Sequence, residues 1–391
     1  MANTRGERAI LDAASTPMHP LARDTLMAAL DAGWADPRRL HAEGRAARRL
    51  LDQATEVLAW GLRVRPSELS FAPSGSAAVR LAVDGVLHSA RRRGSRLVAT
   101  AVEHSAVLAP ARYRAAQAQD ETLLAEVPVD HAGRVDVDAL AAALDAPGTV
   151  AAAVQHANGE VGTLQPLAAA LERCRAAGTP LVVDAQSSLG RVPSPDTFDV
   201  LAGDAQSWGG PGGLGVLAVP ERTRWALPGP SGEPGYGRSG HVPWVPLALA
   251  AAEAWQQTGA ALDEETTLAR ALVDRVRATA AAVPDVEVVG DPDERLPHVV
   301  TFSALYVDGE ALVHEFDRRG FAIASGSACT ASTLEPSHVL AAMGVLTHGN
   351  VRLTLPLASV SPARAEHVER FCAALPEVIA SVRAQLGAEH L

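Results

Sequence analysis

Short apolar runs alternate along this chain with segments in which apolar residues recur at helical spacing. The runs are rich in β-branched residues and are bounded by glycine, proline or charged residues, which is typical of buried strands. Five runs predict such strands: residues 97–102, 150–155, 180–184, 214–219 and 299–305. Segments 44–62 and 167–177 carry arginine or glutamate between their apolar positions and predict helices. This alternation predicts a mostly parallel α/β sheet.

The pattern changes after about residue 228. Residues 228–246 are dense in glycine and proline and predict a long ordered loop. Helical patterns and a predicted pair of strands follow, at residues 247–258, 264–283, 286–289 and 298–305. The shift in composition indicates a second, smaller α+β domain from about residue 260 onward.

Charge and cysteine content narrow the class of protein. The formal net charge is −11 and no basic stripe is visible, which argues against a nucleic-acid partner. The apolar runs are of strand length or are interrupted by charges, and residues 1–9 are polar, so we expect no membrane partner and no targeting segment. The three cysteines, Cys174, Cys329 and Cys372, are odd in number and far apart, which argues against a disulfide framework and favours a cytoplasmic location.

One residue type is missing altogether. Lysine and arginine together number 34, and all 34 are arginine, so these 391 residues contain no lysine. Any mechanism that depends on a lysine amine is therefore excluded, including an internal Schiff base.

Polar residues stand at the ends of three predicted strands. Asp184 ends one strand, His104 follows a second, and Asn158 follows a third. Open α/β sheets bind ligands at the carboxyl ends of their strands, so a carboxylate, an imidazole and an amide could meet one ligand there. Each residue taken singly also suits a structural role, Asp184 as a helix cap or turn and the other two as turn residues.

A turn of small residues, 73–78, follows the apolar run that ends at Phe71 and precedes a helical pattern. Free backbone N–H groups and the helix dipole at such a start suit a phosphate group, and Ser76 adds a hydroxyl. Taken alone, a Gly/Ser turn is only a weak indication of a phosphate site.

Cys329 lies in a second run of small residues, 325–333. Small residues cannot fill a core, so we expect an exposed, flexible loop in which the thiol acts as a nucleophile or carries sulfur. Cys174 and Cys372 lie in helical patterns, and we expect both to be inert.

Together these segments resemble the cysteine desulfurases, pyridoxal-phosphate (PLP) enzymes of fold type I within the class-V aminotransferase family. The matching segments keep one order over nearly the whole chain: residues 11–18, 40–45, 103–104, 158–162, 184, 210–211, 325–329, 335–340 and 350–353. The most specific match combines the loop at 325–329 with residues 335–340.

The resemblance implies an α/β fold of the PLP-transferase type. Residues 15–258 would form the large domain with a mostly parallel sheet of the seven-stranded type. Residues 259–391 would form the smaller α+β domain and carry the Cys329 loop, and residues 1–14 would pack on this smaller domain. Because fold-type I sites form between two subunits, the resemblance also implies a homodimer.

The resemblance implies a set of contacts to PLP. His104 would stack on the pyridine ring, Asp184 would pair with the ring nitrogen, and Asn158 would bond the ring hydroxyl. The remaining cofactor contacts would come from Ser76 at the phosphate, in place of the usual threonine, and from Gln186 and Gln206.

The resemblance also implies contacts to a cysteine substrate. Arg352 would clamp the substrate carboxylate with its bidentate fork, next to Asn158. Cys329 would attack the substrate sulfur and carry it as a persulfide.

The chain departs from the family at the position that binds PLP covalently. Ser207 stands where the family has its Schiff-base lysine, and Gln206 replaces the adjacent histidine. Asp204 replaces a serine that would touch the phosphate, where a carboxylate would repel a dianion. Ser187 stands at the position of a further family glutamine, and Gln186 lies one residue earlier. His241 replaces a threonine that reaches the phosphate in the partner subunit, and Ala77 replaces a common glutamate.

These matches and departures support two functions. The first is a sulfur-relay or regulatory pseudo-desulfurase that itself needs no PLP. In this function Cys329 receives sulfur from a true desulfurase and passes it to an acceptor protein. The second is a working PLP-dependent desulfurase that uses another base, with Ser207 at the lysine position, and yields alanine and a Cys329 persulfide. An aminotransferase reaction also needs a lysine and is disfavoured.

Overall fold

The structure is a computed structural model that describes residues 8–15, 17–33, 35–227, 239–325 and 336–385. Its strands are β1 (Ala9–Ile10), β2 (Leu69–Ala72), β3 (Arg96–Thr100), β4 (Leu124–Val127), β5 (Thr149–Ala153), β6 (Leu181–Asp184), β7 (Val200–Asp204), β8 (Gly215–Ala218), β9 (Val286–Val289), β10 (Val299–Ala304), β11 (Phe321–Ala322) and β12 (Asn350–Thr354). Its α-helices are α1 (Pro20–Asp31), α2 (Ala42–Gly61), α3 (Gly75–Ala90), α4 (Ser105–Ala118), α5 (Val137–Leu144), α6 (Leu167–Ala176), α7 (Val245–Ala260), α8 (Leu262–Ala281), α9 (Gly309–Arg318), α10 (His338–Met343) and α11 (Arg364–Gln385).

A seven-stranded sheet in the order β2-β8-β7-β6-β5-β3-β4 forms the centre of the larger part of the molecule. The strands run parallel except β8, which is antiparallel to both β2 and β7. Both faces of the sheet are covered, since Val182 packs in one hydrophobic core while Leu181 and Val183 pack in another. This explains why the strands are continuous apolar runs rather than alternating ones, and it confirms the predicted fold class.

A second sheet and its own core lie in the C-terminal part of the chain. Strands β9, β10 and β12 form an antiparallel sheet in the order β12-β10-β9. The core beside it includes the aromatic side chains of Phe302, Phe316 and Phe371. The short strands β1 and β11 pair in parallel, so residues near the N-terminus are hydrogen-bonded to this C-terminal part.

The predicted elements coincide closely with the observed ones. Each of the five predicted strands and four predicted helices begins and ends within two residues of the observed element. The predicted loop at 228–246 is too long at its C-terminal end, because α7 begins at Val245 with Pro246 in its first turn. Proline is well accommodated there, since its missing N–H has no partner within the helix at that position. Residues 228–238 lie outside the described residues, and none of the described helices is long and apolar enough to cross a membrane.

The topology brings the predicted polar residues to one edge of the central sheet. The neighbouring parallel strands β3, β5, β6 and β7 all end at this edge. Asp184 is the last residue of β6 and Asp204 the last of β7, while His104 and Asn158 follow β3 and β5. Helix α3, which follows β2, begins at Gly75 against the same edge, where its backbone meets Asp204.

Candidate functional site

A cavity of about 230 Å³ opens at this edge of the central sheet. Five of the predicted site residues line it: His104, Asn158, Asp184, Gln186 and Arg352. The structure therefore brings together the residues assigned to the cofactor ring and to the substrate carboxylate. Ser76, Gln206 and Ser207 are not among the residues that line this cavity.

Asp184 is held firmly at the floor of the site. Its side chain is 6% exposed, and its Oδ1 and Oδ2 accept hydrogen bonds from the backbone N–H and the side-chain amide of Gln186, both at 2.9 Å. Burial raises the pKa of Asp184 above its ordinary value. Gln186 thus contacts this carboxylate even though it lies one residue earlier than the family's glutamine, and its own Oε1 accepts from the Ser76 hydroxyl at 3.3 Å.

His104 has a structural task as well as a place in the cavity. Its Nδ1 accepts a hydrogen bond from the Ala106 N–H at 3.1 Å and caps helix α4. Both interpretations left open by the sequence, turn residue and ligand contact, are therefore compatible with this placement.

Asn158 likewise builds a turn at the wall of the cavity. Its Oδ1 accepts from the N–H groups of Glu160 at 2.8 Å and Val161 at 2.9 Å, and its Nδ2 donates to the Val102 carbonyl at 3.1 Å. The side chain is 3% exposed. The oxygen is thus committed to the turn, and the second hydrogen of Nδ2 is the group that Asn158 can offer to a ligand.

Glu103 belongs to the site but was not singled out from the sequence. It is fully buried and lines the cavity, and its Oε1 accepts from the Thr100 hydroxyl at 2.7 Å and the Gln155 N–H at 2.8 Å. Its Oε2 has no hydrogen-bond partner among the described residues. Burial, with a smaller contribution from the Asp184 charge, raises the pKa of Glu103 to about 8. The available signal was an acidic residue directly before His104 at a strand end.

Arg352 approaches the cavity from the other sheet. Its backbone in β12 exchanges hydrogen bonds with Ala324, at 2.8 and 3.1 Å. Its Nε is buried and has no hydrogen-bond partner in the part of the chain that the structure describes. Cys329, expected near this residue, lies outside the described residues.

The side chain of Asp204, the last residue of β7, lies at the start of helix α3. The Gly75 N–H donates to Asp204 Oδ2 at 2.6 Å, and the Gln206 N–H donates to Oδ1 at 2.9 Å. The approach is so close that a Cβ at Gly75 would lie 2.5 Å from the Asp204 Cβ. A carboxylate of the chain itself therefore neutralises the positive end of this helix.

Ser207 faces the backbone instead of the cavity. Its hydroxyl lies 2.9 Å from the Leu189 carbonyl oxygen and 2.8 Å from that of Asp204. Its own carbonyl accepts from Nε of the buried Arg191 at 2.6 Å. Gln206, next to it, is exposed.

Comparison with known proteins connects these features. The profile of the family described as aminotransferase class-V matches residues 10–234 and 239–365. The chain belongs to the class-V aminotransferase family. Among its relatives, an IscS-like cysteine desulfurase of Mycobacterium tuberculosis (strain ATCC 25618 / H37Rv) is 35% identical over 95% of this chain and 96% of that protein. A cysteine desulfurase of Cereibacter sphaeroides is 32% identical over 98% of this chain and all of that protein.

Solved structures extend the comparison. DndA from Streptomyces lividans is 27% identical and superposes with a TM-score of 0.73, covering 87% of this chain and 97% of that one. A NifS-like protein, at 22% identity, superposes with a TM-score of 0.84 over 96% of this chain and all of its own and shows the shared fold. The fold is thus that of this class-V family.

The residues of this class-V protein do not fit the PLP on which its family depends. The residues that the resemblance assigns to the PLP ring are present, since His104, Asn158 and Asp184 line one cavity. At the start of α3, where the resemblance places the phosphate, the first amide already donates to Asp204. The Asp204 carboxylate would repel a phosphate dianion. No lysine is available to form the covalent link.

The two described thiols of this class-V protein are buried, and burial disfavours their thiolate forms. Cys174 is fully buried, and burial raises its pKa to about 12. Cys372 is 4% exposed, and burial raises its pKa as well. Since the thiolate is the nucleophile, neither is suited to carry sulfur.

Proposed function

We propose that this protein transfers sulfur without PLP, as a sulfur-relay or regulatory pseudo-desulfurase that uses Cys329. The observation that carries the proposal is the hydrogen bond from the Gly75 N–H to the Asp204 carboxylate, which fills the position that the family resemblance assigns to the cofactor phosphate. The absence of lysine supports it from the sequence. Relatives at 30–35% identity are cysteine desulfurases, so sulfur transfer is the activity nearest to this chain.

The relay is a balanced exchange between thiols. The Cys329 thiolate attacks the outer sulfur of a persulfide on a donor desulfurase, the S–S bond of the donor breaks, and the donor cysteine leaves as a thiolate. Cys329 then carries the extra sulfur as a persulfide. A thiolate of an acceptor protein attacks that outer sulfur in the same way and regenerates Cys329, so no external oxidant or reductant is consumed.

Cys329 is the thiol on which this proposal depends. The other two cysteines are buried and have raised pKa values, which suppresses the thiolate form. Arg352 provides a positive charge in β12, the strand that pairs with Ala324, five residues before Cys329. Such a charge favours a thiolate.

A working PLP-dependent desulfurase, which releases sulfur from L-cysteine as a Cys329 persulfide and yields alanine, is the second candidate. His104, Asn158, Asp184 and Arg352 in one cavity favour it. Against it, the family's lysine exchanges imines and moves a proton, and a serine hydroxyl is a poor base for that task. The Ser207 hydroxyl lies against two backbone carbonyls, which further disfavours that role.

A homodimer in the cytoplasm completes the proposal. The family resemblance supports the dimer, and the odd number of widely spaced cysteines supports a reducing compartment. The protein partners would be a true desulfurase as donor and a sulfur-acceptor protein.

Adding PLP to the purified protein tests the cofactor part of this proposal. We expect no aldimine absorption band and no PLP fixed to the chain after borohydride reduction, while a lysine-containing desulfurase treated in parallel shows both. A stoichiometric, reducible covalent adduct would overturn the proposal and favour the second candidate.

Persulfide labelling tests the relay itself. After incubation with an active desulfurase and L-cysteine, mass spectrometry should place the extra sulfur on Cys329, and Cys329→Ala should abolish the label. Cys174→Ala is the matched control and should leave the label in place. Label on Cys174 or Cys372, or none at all, would contradict a relay through Cys329.

A further inference from the structure

A second cavity lies at the edge of the central sheet opposite to the candidate site. Its volume is about 330 Å³. Val150, Pro180 and Asp199 line it, and these residues lie where the parallel strands β5, β6 and β7 begin. The candidate site lies where the same strands end, and the two cavities have no lining residue in common.

Positive side chains dominate the lining of this second cavity. It contains one carboxyl group, Asp199, whose Oδ2 accepts from the Leu181 N–H at 2.9 Å, and four arginines: Arg93, Arg175, Arg222 and Arg224. None of the four arginines forms an ion pair with a carboxylate in the part of the chain that the structure describes. The net charge of the chain is −11, so the cavity has the opposite sign to the whole molecule. A concave cluster of one sign concentrates ligands of the other sign.

Helix dipoles account for only two of these arginines. Arg175 lies in the last turn of α6, and Arg93 comes shortly after the end of α3, where a positive side chain complements the helix dipole. Arg222 and Arg224 belong to the non-helical segment after β8. A role at helix ends therefore does not explain why all four side chains line one cavity.

The segment that carries Arg222 and Arg224 is fixed by hydrogen bonds. Nη2 of Arg222 donates to the Phe198 carbonyl at 3.0 Å, and the Thr223 hydroxyl donates to the Asp199 carbonyl at 2.9 Å. The Ser89 hydroxyl lies 3.0 Å from the Arg224 carbonyl oxygen. The backbone of this segment is thus held in place before any ligand binds, which lowers the ordering cost of binding.

Size and chemistry together indicate the class of ligand. The cavity volume lies within the range of about 300–1,000 Å³ that suits small molecules. Guanidinium groups match phosphate oxygens with bidentate hydrogen bonds. A single phosphate ion would fill only part of this volume, whereas two linked phosphate groups can contact arginines from separate segments at once, and the link makes the second contact intramolecular. Val86, Ala90 and Val150 add apolar wall for an organic part of the ligand.

We propose that this second cavity binds a small molecule that carries a diphosphate group, with the diphosphate oxygens at Arg93, Arg175, Arg222 and Arg224. The source is free inorganic diphosphate or a small organic ester of it. The inference is independent of the proposed function, because none of the described residues of the candidate site lines this cavity.

Calorimetric titration of the full-length protein with inorganic diphosphate tests the proposal. The titration is done without divalent cations and in about 0.15 M NaCl, which screens contacts between exposed charges. We expect saturable binding with a Kd of about 1 mM or tighter, and inorganic phosphate should bind at least tenfold more weakly. Adenosine diphosphate serves as the ester probe. Tighter binding of this ester identifies an organic diphosphate as the ligand, and weaker binding identifies free diphosphate.

Three substitutions of exposed arginines locate the binding groups. Arg93→Gln and Arg224→Gln should each weaken diphosphate binding by tenfold or more, since each removes a charged hydrogen bond to the ligand. Arg92→Gln is the matched control, because Arg92 is exposed, precedes Arg93 directly and does not line the cavity. It should bind diphosphate as the parent does. If a variant fails to fold by circular dichroism, the comparison of diphosphate with phosphate still tests the site on the parent protein.

Four results would overturn the proposal. They are the absence of saturable diphosphate binding up to about 10 mM, equal affinity for phosphate and diphosphate, equal losses in Arg92→Gln and Arg93→Gln, and tighter binding of hexaglutamate than of diphosphate. The last result would assign the arginines to an acidic protein partner. The sulfur relay is judged by the label on Cys329 and survives each of these results.

Discussion

Glu103 shows how one buried side chain makes stability depend on pH. The ordinary pKa of 4.5 applies in the unfolded chain, whereas burial raises the folded-state pKa to about 8. Between these two values the unfolded chain binds fewer protons than the folded one. The free energy of unfolding therefore falls as pH rises through this interval, and the loss is complete above the folded-state pKa.

We predict that Glu103→Gln flattens this pH dependence. The slope contributed by Glu103 should approach about 1.4 kcal/mol per pH unit at most. Urea unfolding of the protein and the variant between pH 6.5 and 8.5 measures it, and this range avoids the titration of His156, whose pKa burial lowers to about 4. The other charged or titratable groups around Glu103 are present in both proteins: His104, Glu160, Asp184, His338 and Arg352. Parallel pH profiles for the two proteins would refute the prediction.

At the scale of elements, the N-terminus of helix α3 is satisfied by side chains of the protein itself. Ser74 caps the helix by accepting from the Ala77 N–H at 3.1 Å. The Gly75 N–H donates to Asp204, which lies 129 residues after Gly75 in the chain. A helix start that would attract a phosphate group is thus satisfied by a carboxylate from the end of β7.

We predict that Asp204→Ser opens this helix start to an external anion. Loss of the carboxylate should lower the thermal midpoint, since removing a helix-capping group costs about 1 kcal/mol. Inorganic phosphate should then raise the midpoint of the variant and leave the parent unchanged, because ligand binding to the folded state stabilises it. Differential scanning fluorimetry with and without phosphate measures both effects.

Asp136→Ser is the matched control for that experiment. Asp136 caps helix α5 by accepting from the N–H groups of Asp138 and Ala139, at 3.0 and 2.9 Å, outside the candidate site. It should lose a similar amount of stability without gaining a response to phosphate. A phosphate response equal in both variants, or absent from Asp204→Ser, would show that Asp204 does not block an anion site.

On the scale of the whole molecule, a buried ion pair joins elements that are distant in sequence. Glu265 of α8 pairs with Arg364 of α11, and its second oxygen accepts from the Ala358 N–H at 3.1 Å. Burial lowers the pKa of Arg191 to about 10, and the nearby charge of Glu265 acts in the opposite direction. The Nε of Arg191 donates to the carbonyl of Ser207, so this cluster also supports the segment around Ser207.

We predict that Glu265→Gln lowers the free energy of unfolding by about 3–5 kcal/mol, because it leaves a buried guanidinium without its counter-charge. Glu369→Gln removes the partner of Arg275 in a pair whose side chains are more than half exposed, and it should change stability by at most about 1 kcal/mol. Urea unfolding at neutral pH compares the two. Similar losses in both variants would mean that burial does not distinguish these pairs.

The order of strands and helices was predictable because it depends on periodicity along the chain. Continuous apolar runs marked strands such as β5 and β6 within two residues, since both faces of the central sheet are covered. The start of α7 was placed too late, because Pro246 was counted with the preceding loop although proline suits a first helical turn.

The sequence by itself determined the chemistry available to this protein. It contains no lysine, the family resemblance assigns Ser207 to the position of the Schiff-base lysine, and polar residues stand where parallel strands end. Such facts depend on residue identity and local spacing alone. Family membership follows from the same kind of information, since the family profile matches most of the chain.

Only the tertiary structure decided which way these groups face and which partners they find. The Asp204 carboxylate meets Gly75, the Ser207 hydroxyl meets the Leu189 carbonyl, and Glu103 Oε2 remains without a described partner. The physical reason is that hydrogen bonding and burial depend on distances between segments far apart in the chain. Residue identity offers a donor or an acceptor, but packing selects the contact that forms and the groups that face the cavity.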